Sequence, residues 1–284
     1  MAGAQAESRG MPAVGTGQAG TLAHNRNAMA QRSDGSITAK NREFYDGLWS
    51  RARFIRPERF NTWPVISGLL ASAPVRLELG PGMHPRLPIA GTHFIDLSST
   101  AVGHLNERGG IAETGDMARL PFRDGEFDLV AGFDVIEHIE DDRRVFMEIG
   151  RVLKDGGALV FSVPLHAALW TAFDEMVGHV RRYGPGTLVA LLSECGLTLE
   201  RSAGFGMKPS NGRLVTWGMW WLSNRPATAM RWYNRVFLPL GIYFQKPLHF
   251  ATGLIDTEGR QGLVLVCRRI PRLAHVIPSS QPQT

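Results

Sequence analysis

An α/β fold with a doubly wound, mostly parallel sheet is what this 284-residue chain predicts. Three observations lead there. Short apolar runs at 75–79, 93–97, 127–132 and 158–163 read as strands, and helical stretches at 99–107 and 141–153 alternate with them. Strands that alternate with helices form parallel sheets covered on both faces. The first run passes straight into the glycine turn Gly80-Pro81-Gly82, and the second ends on an acid, Asp96.

Each element has a local reason. Residues 1–40 are rich in Ala, Gly, Gln and Ser and hold few large apolar side chains, so they predict a disordered tail. Residues 41–73 predict an N-terminal helical lid. One amphipathic helix over 41–56 carries Phe44, Leu48, Trp49 and Phe54 and ends at Pro57, and a second covers Trp63–Ala71. Residues 74–205 form the core. After the first strand, Pro85 and Pro88 oppose a regular helix, so the first crossover is irregular. Asp141 or Asp142 caps the 141–153 helix, and Gly156-Gly157 ends it. Pro185 to Cys195 reads as a further helix, with proline at its start and Gly196 beyond its end. Leu197–Ser202 and Gly262–Arg268 read as a closing strand pair. Residues 206–260 between them are apolar, aromatic and basic, and predict a helical cap insertion. The last core strand occupies 261–272, and 273–284 is a tail.

Composition removes several classes. Two cysteines, Cys195 and Cys267, are too few for a disulfide framework or a zinc cluster, and a reducing, cytoplasmic setting fits. No apolar leader stands at the N-terminus, and no run is long enough to span a bilayer. The net charge of +5 is uneven. From Arg181 onward there are 13 Lys and Arg against 4 Asp and Glu, a balance of +9, which leaves −4 for the first 180 residues. Four of the seven tryptophans lie in this basic end. Such a surface meets an anionic substrate, a membrane face or nucleic acid, or it is a solvated rim around an aromatic core. Leu214–Leu222 and Val236–Phe250, apolar with flanking Arg and Lys, suit peripheral membrane contact or burial over a substrate.

The glycines let a ligand approach the backbone, because Gly80 and Gly82 carry no Cβ. Asp96, at the tip of the second strand, stands where a carboxylate accepts the hydroxyls of a ribose. Further on come Gly115-Asp116-Met117, Phe133-Asp134-Val135-Ile136-Glu137-His138 and Leu153-Lys154-Asp155-Gly156-Gly157. In this order and spacing, over roughly 75–203, the pieces resemble the class I S-adenosylmethionine-dependent methyltransferases, in the small-molecule branch often called type 11. The resemblance implies a Rossmann-like, seven-stranded sheet with S-adenosyl-L-methionine as cofactor. It assigns Glu78, Gly80 and Gly82 to the turn under the cofactor, Asp96 and Leu97 to the ribose, and Asp116 and Met117 to the adenine. It places Phe133 beside the sulfonium. N-terminal helices then lie over the substrate pocket, which brings Trp49 to the acceptor.

The unperturbed pKa of histidine suits a general base, and His138 at the edge of the fourth strand is the first candidate, with His179 the alternative. Two adjacent residues, Glu137 and His138, cannot complete a coordination sphere, so no metal is expected. His166, Arg181, Arg182 and Tyr183 follow the fifth strand at the pocket mouth and are candidate substrate contacts, with either arginine able to clamp an acidic group, or else the loop is held by salt links between Asp174 and these arginines. The implied activity is methyl transfer to a small, largely apolar acceptor, lipid-like or a secondary metabolite, at oxygen ahead of nitrogen or carbon. Two alternatives stand beside it: nucleic-acid binding or RNA modification through the basic end, and cofactor binding without transfer. The Asp/Asn-Pro-Pro-aromatic pattern of amino-methylating nucleic-acid enzymes is missing, which disfavours the first. A nicotinamide oxidoreductase is disfavoured because Met83-His84-Pro85 breaks the G-x-G-x-x-G fingerprint.

Overall fold

The computed structural model describes residues 52–206 and 231–271 without a break, with Asp46, Trp49 and scattered positions between 216 and 228. All of them belong to one unit, 43–284. The expected 1–40 and 273–284 tails lie outside the described residues.

Eight strands form one sheet in the order β3-β2-β1-β4-β5-β8-β6-β7. In chain order the elements are α1 (Trp63–Leu70), β1 (Arg76–Leu79), β2 (Thr92–Asp96), α2 (Ser99–Asn106), β3 (Ile111–Thr114), β4 (Phe127–Phe133), α3 (Asp142–Val152) and β5 (Leu153–Pro164). There follow α4 (Ala172–Val177), α5 (Pro185–Glu194), β6 (Leu197–Phe205), α6 (Leu238–Tyr243), β7 (Ala251–Thr252) and β8 (Gly262–Arg269). The strands β3-β2-β1-β4-β5 run parallel, while β8 is antiparallel to both β5 and β6. The Rossmann-like methyltransferase fold expected from the sequence is present, with seven core strands and a two-residue edge strand added within the cap.

The central strands are buried on both faces, and their side chains alternate between two cores. Along β5, Leu159, Phe161 and Val163 enter one core, and Ala158 and Val160 the other. Strand β8 repeats the pattern, with Leu263, Leu265 and Cys267 against Val264 and Val266. Phe146 of α3 meets Phe161 edge-to-face at 5.4 Å. Each such ring removed from water contributes about 1.5–3 kcal/mol, so this layer fixes the height of the strand tips.

The helix ends follow their caps. Ser98 Oγ accepts from Ala101 N at 3.2 Å at the start of α2, and Asp141 Oδ1 from Arg144 N at 3.0 Å before α3. Pro185 opens α5, and Gly196, at φ +73°, follows its end.

Four details differ from the sequence reading. Helix α3 stops at Val152, and Leu153–Gly157 already belong to β5, because a register shift opposite Phe127–Leu129 takes up the glycines. Strand β3 was not expected; it is an edge strand with only Ala112 buried, so it carries no apolar run. Asp46 and Trp49 are helical, but Ala52–Arg56 are not, since Ile55 N donates to Met83 O and ties this segment to the loop after β1. The cap is helical over 231–243, whereas 245–260 is largely irregular around β7. On the cap, Trp217, Trp220, Trp232, Phe237, Tyr243 and Phe244 are exposed. Among the described residues no helix is long and apolar enough to cross a membrane.

Candidate active site

The carboxyl ends of β2, β1 and β4 lie side by side, and successive connections leave in opposite directions between β1 and β4. Crevices at such switch points are where open α/β sheets hold ligands. Gly80 N donates to Ile95 O at 2.8 Å, which binds the turn to β2. Gly80 and Gly82 have φ of +58° and +53°. A Cβ on Gly80 would lie 2.3 Å from Val135 Cγ2, and one on Gly82 equally near the Trp49 indole. Only glycine meets both demands at either position.

Asp96 is buried and joins the turn to α2: its Oδ2 accepts from Gly82 N at 2.9 Å and its Oδ1 from Ser98 N at 2.8 Å. A carboxylate offers about four acceptor positions, so these amides leave it acceptor capacity for a hydroxyl-bearing ligand. Burial, and then the neighbouring Asp46, raise its carboxyl above the usual range. Asp46 Oδ1 accepts from Ser98 Oγ at 2.5 Å. Leu97 is half-buried beside it. Asp46 was absent from the sequence reading; it stands three residues before Trp49, in no motif that points to this contact.

Glu78 is buried and turned into the first crossover, where its carboxylate accepts from Arg86 N at 2.8 Å and Leu87 N at 2.9 Å. It organises the loop that two prolines keep from becoming a helix. Burial pushes its pKa up to about 7 against the opposing pull of those amides. The folded protein therefore holds a proton that the unfolded chain releases near 4.5, and stability is lost as pH rises from there through about 7. We expect a fall of roughly 3 kcal/mol across that window, from 1.36 kcal/mol per pKa unit. In Glu78→Gln the pH-dependent loss shrinks by about that amount, the raised carboxyls of Asp96, Asp134 and Glu137 keeping the remainder; denaturant melts at several pH values check it.

Asp116, expected at the adenine, is exposed, and its Oδ1 accepts from Ala118 N at 2.8 Å, which shapes the turn. Met117 is buried beneath the glycine turn. Phe133, half-buried at the tip of β4, carries the Arg86 guanidinium 5.3 Å from its ring centre. Trp49 lies over the glycine turn rather than apart from it, and meets His84 edge-on at 5.3 Å.

The tip of β4 and the turn after it hold a dense polar group. Asp134 has φ +50°, and its Oδ1 accepts from Ser162 Oγ at 2.8 Å. It faces solvent at the strand tip, yet the surrounding protein desolvates it and raises its carboxyl, against the hydrogen bond from Ser162. Glu137 is fully buried, and burial, then Asp134, push its carboxyl far up. His138 Nδ1 lies 3.1 Å from Gly178 O, and its ring stands edge-on to His179 at 4.7 Å. Burial, then His179, pull the His138 pKa down to about 4. Burial lowers His179 as well, although its Nδ1 is 2.8 Å from Asp174 Oδ1.

Asp174 anchors the following loop. It closes a capping box with Thr171 at the start of α4, and takes Arg182 Nε and Nη2 at 2.9 Å each. Burial alone would raise its carboxyl, but bonds from Arg182, Thr171 and His179 together hold it well below the usual range. Arg182 is thus turned inward onto Asp174. Arg181 reaches Asp142 and the Glu140 carbonyl, Tyr183 is buried, and His166 Nε2 lies 2.9 Å from Thr257 O. The structure brings His138 and His179 together. Arg182 meets His179 only through their shared partner Asp174, and His166 N donates to Tyr183 O at 2.9 Å.

Residues 80–161 match a family described as a methyltransferase domain. A protein of Mycobacterium tuberculosis named "Probable S-adenosylmethionine-dependent methyltransferase" is 33% identical over 106 residues, 36% of this chain and 39% of that protein. Over this stretch the chain is similar to S-adenosylmethionine-dependent methyltransferases. A relative named in similar terms from Mycolicibacterium smegmatis is 30% identical over 114 residues, covering 39% of this chain and 44% of that protein. The chain thus aligns with less than half the length of either relative. Among solved structures, the "SAM-dependent methyltransferase, possible histamine N-methyltransferase" of Thermotoga maritima matches with a TM-score of 0.51. It is 14% identical, with 80% of this chain and 93% of that one covered, and this likeness concerns the methyltransferase fold alone.

Proposed function

We propose that this methyltransferase domain binds S-adenosyl-L-methionine and transfers its methyl group to a small, largely apolar acceptor, at oxygen in preference to nitrogen or carbon. Asp96 carries the reading: a buried carboxylate at the tip of β2, tied to the Gly82 amide and retaining acceptor capacity. The residues present fit the cofactor, because both glycines have positive φ and stand beside that carboxylate. Asp96 would hold the ribose, the glycine turn the methionine side, and Met117 and Asp116 the base. When bound, S-adenosyl-L-methionine supplies an electrophilic methyl on a positively charged sulfur.

The chain's own contribution is placement and the exclusion of water. Trp49 over the turn and Phe133 at the tip of β4 wall the reacting end. An oxygen acceptor must also lose a proton, and His138 and His179 are the candidate bases. With its pKa near 4, His138 is neutral and able to accept at neutral pH, although weakly basic. The exposed aromatics of the cap suit an apolar acceptor, and they equally suit contact with a membrane surface. Nucleic acid is the weaker partner, since only the basic charge of the C-terminal region supports it.

Incubation with methyl-labelled S-adenosylmethionine and a panel of phenols, hydroxy acids, amines and carbon acids tests the reading. The expected result is label transfer to a hydroxyl-bearing member. Tight binding with no transfer to any member would favour a cofactor-binding protein without activity.

A further inference from the structure

The Glu137 carboxylate has no account in the proposed transfer. It is fully buried, and neither of its oxygens meets a hydrogen-bond partner among the described residues. An uncompensated buried carboxylate costs several kcal/mol, so folds rarely leave one. Around it the fold is well determined. Val180 N donates to Glu137 O at 2.9 Å, which fastens the loop after α4 to the short turn of Ile136–His138. That fastening carries His179 to within 3.6 Å of Glu137, measured from Nε2 to Oε1. The separation is too long for a hydrogen bond.

The orientation of His179 is the second observation. Its Nδ1 is 2.8 Å from Asp174 Oδ1, and Asp174, already ionised by Arg182, can only accept. The proton therefore sits on Nδ1, and the Nε2 lone pair points toward Glu137. A carboxylate behind a histidine, with the far nitrogen aimed into a cluster of donors, is the usual support of a metal-ligating imidazole. One ligand atom each from Glu137, His138 and His179 lie within 4.8 Å of one another. Ligands about 2.1 Å from one cation stand roughly 3–4 Å apart, so a small inward movement of side chains closes the set. Asp134 lies close enough to act electrostatically on both Glu137 and His179.

We propose that Glu137, His138 and His179, with Asp134 beside them, bind one divalent first-row transition ion of the zinc and manganese class. Two imidazoles with carboxylates favour such an ion over magnesium or calcium, which prefer oxygen alone. The inference deepens the proposed transfer and rests on it in one respect: the ion's open positions face the acceptor. The acceptor class is then narrowed to a hydroxyl able to coordinate. Bound there, that hydroxyl gives its proton to water, and its oxygen forms the new bond to the methyl carbon. The pair from the broken carbon–sulfur bond stays on sulfur. The histidines in that case hold the ion instead of taking the proton. The sequence hid the site because the third ligand, His179, lies forty-one residues beyond His138.

The test uses the full chain, stripped with a chelator and titrated calorimetrically with Zn²⁺, Mn²⁺ and Mg²⁺. A parallel titration with Co²⁺ follows visible absorption. The expected result is one equivalent of Zn²⁺, much tighter than Mg²⁺, with a cobalt spectrum free of thiolate charge transfer. Glu137→Gln and His179→Ala should each weaken Zn²⁺ binding at least tenfold, while His104→Ala, on the exposed face of α2, should leave it unchanged. S-adenosylhomocysteine binding by the same variants reports that they are folded. If a variant does not fold, the wild-type cobalt spectrum decides between imidazole–carboxylate and other ligation. No binding by the wild type, thiolate bands, or affinities unchanged in folded variants would overturn the metal site. Retained S-adenosylhomocysteine binding in those cases leaves the proposed transfer standing; its loss in stripped wild type counts against the transfer instead.

Discussion

Asp96→Ala is expected to weaken S-adenosylhomocysteine binding by at least about 100-fold in a calorimetric titration, with the circular dichroism unchanged. The size follows from what the carboxylate does. It would accept two ribose hydroxyls, and hydrogen bonds to a charged group contribute about 1.5–3 kcal/mol each. Two of them exceed the ~2.8 kcal/mol that corresponds to 100-fold. The substitution also frees the Gly82 and Ser98 amides, which are 2.9 and 2.8 Å from its oxygens, so the turn and the start of α2 lose their common tether. Asp96→Asn keeps the shape and one acceptor oxygen and should fall between the two. An unchanged affinity in Asp96→Ala would mean that the sugar is held elsewhere.

The largest loss of stability is expected at Asp174 and Arg182. Their side chains are 0% and 2% exposed, and the guanidinium is bound at Nε and Nη2. Breaking a buried pair by removing one partner costs about 3–5 kcal/mol, because the other charge stays behind without compensation. Arg182→Met should therefore cost about 3–5 kcal/mol in urea denaturation, as should Asp174→Ala, which also removes the capping partner of Thr171. The double variant Asp174→Leu with Arg182→Met should lose clearly less than the two single losses added together. Strict additivity would contradict the coupling. The same pair holds the loop that carries His179, so the single variants should also disturb the group around Glu137.

Much of the frame was legible in the sequence, for physical reasons. Strands β1, β2, β4 and β5 are buried on both faces, so they appear as continuous apolar runs. Helices α2, α3 and α5 carry their caps in Ser98, Asp141, and Pro185 with Gly196. The irregular first crossover was readable from Pro85 and Pro88. Strand β3 was hidden because one face is open and only Ala112 is buried. The two-residue β7 is too short to leave a pattern. Within the candidate site, the contact between the Gly80–Gly82 turn and Asp96 could be anticipated because it depends on local chain geometry. The partners of Glu78, Glu137 and His179 could not, since each depends on which loop folds back. Arg182 shows the same limit. Its residue type allowed either a clamp for a substrate or a salt link to Asp174, and the fold makes the salt link.

The most direct measurement is a crystal structure of the full chain grown with S-adenosylhomocysteine. We predict density for the nucleoside across the tips of β1, β2 and β4, with both ribose hydroxyls within hydrogen-bond distance of the Asp96 carboxylate and the homocysteine chain over Gly80–Gly82. A nucleoside bound elsewhere, or a sugar turned away from Asp96 with that carboxylate still holding only Gly82 and Ser98, would contradict the account.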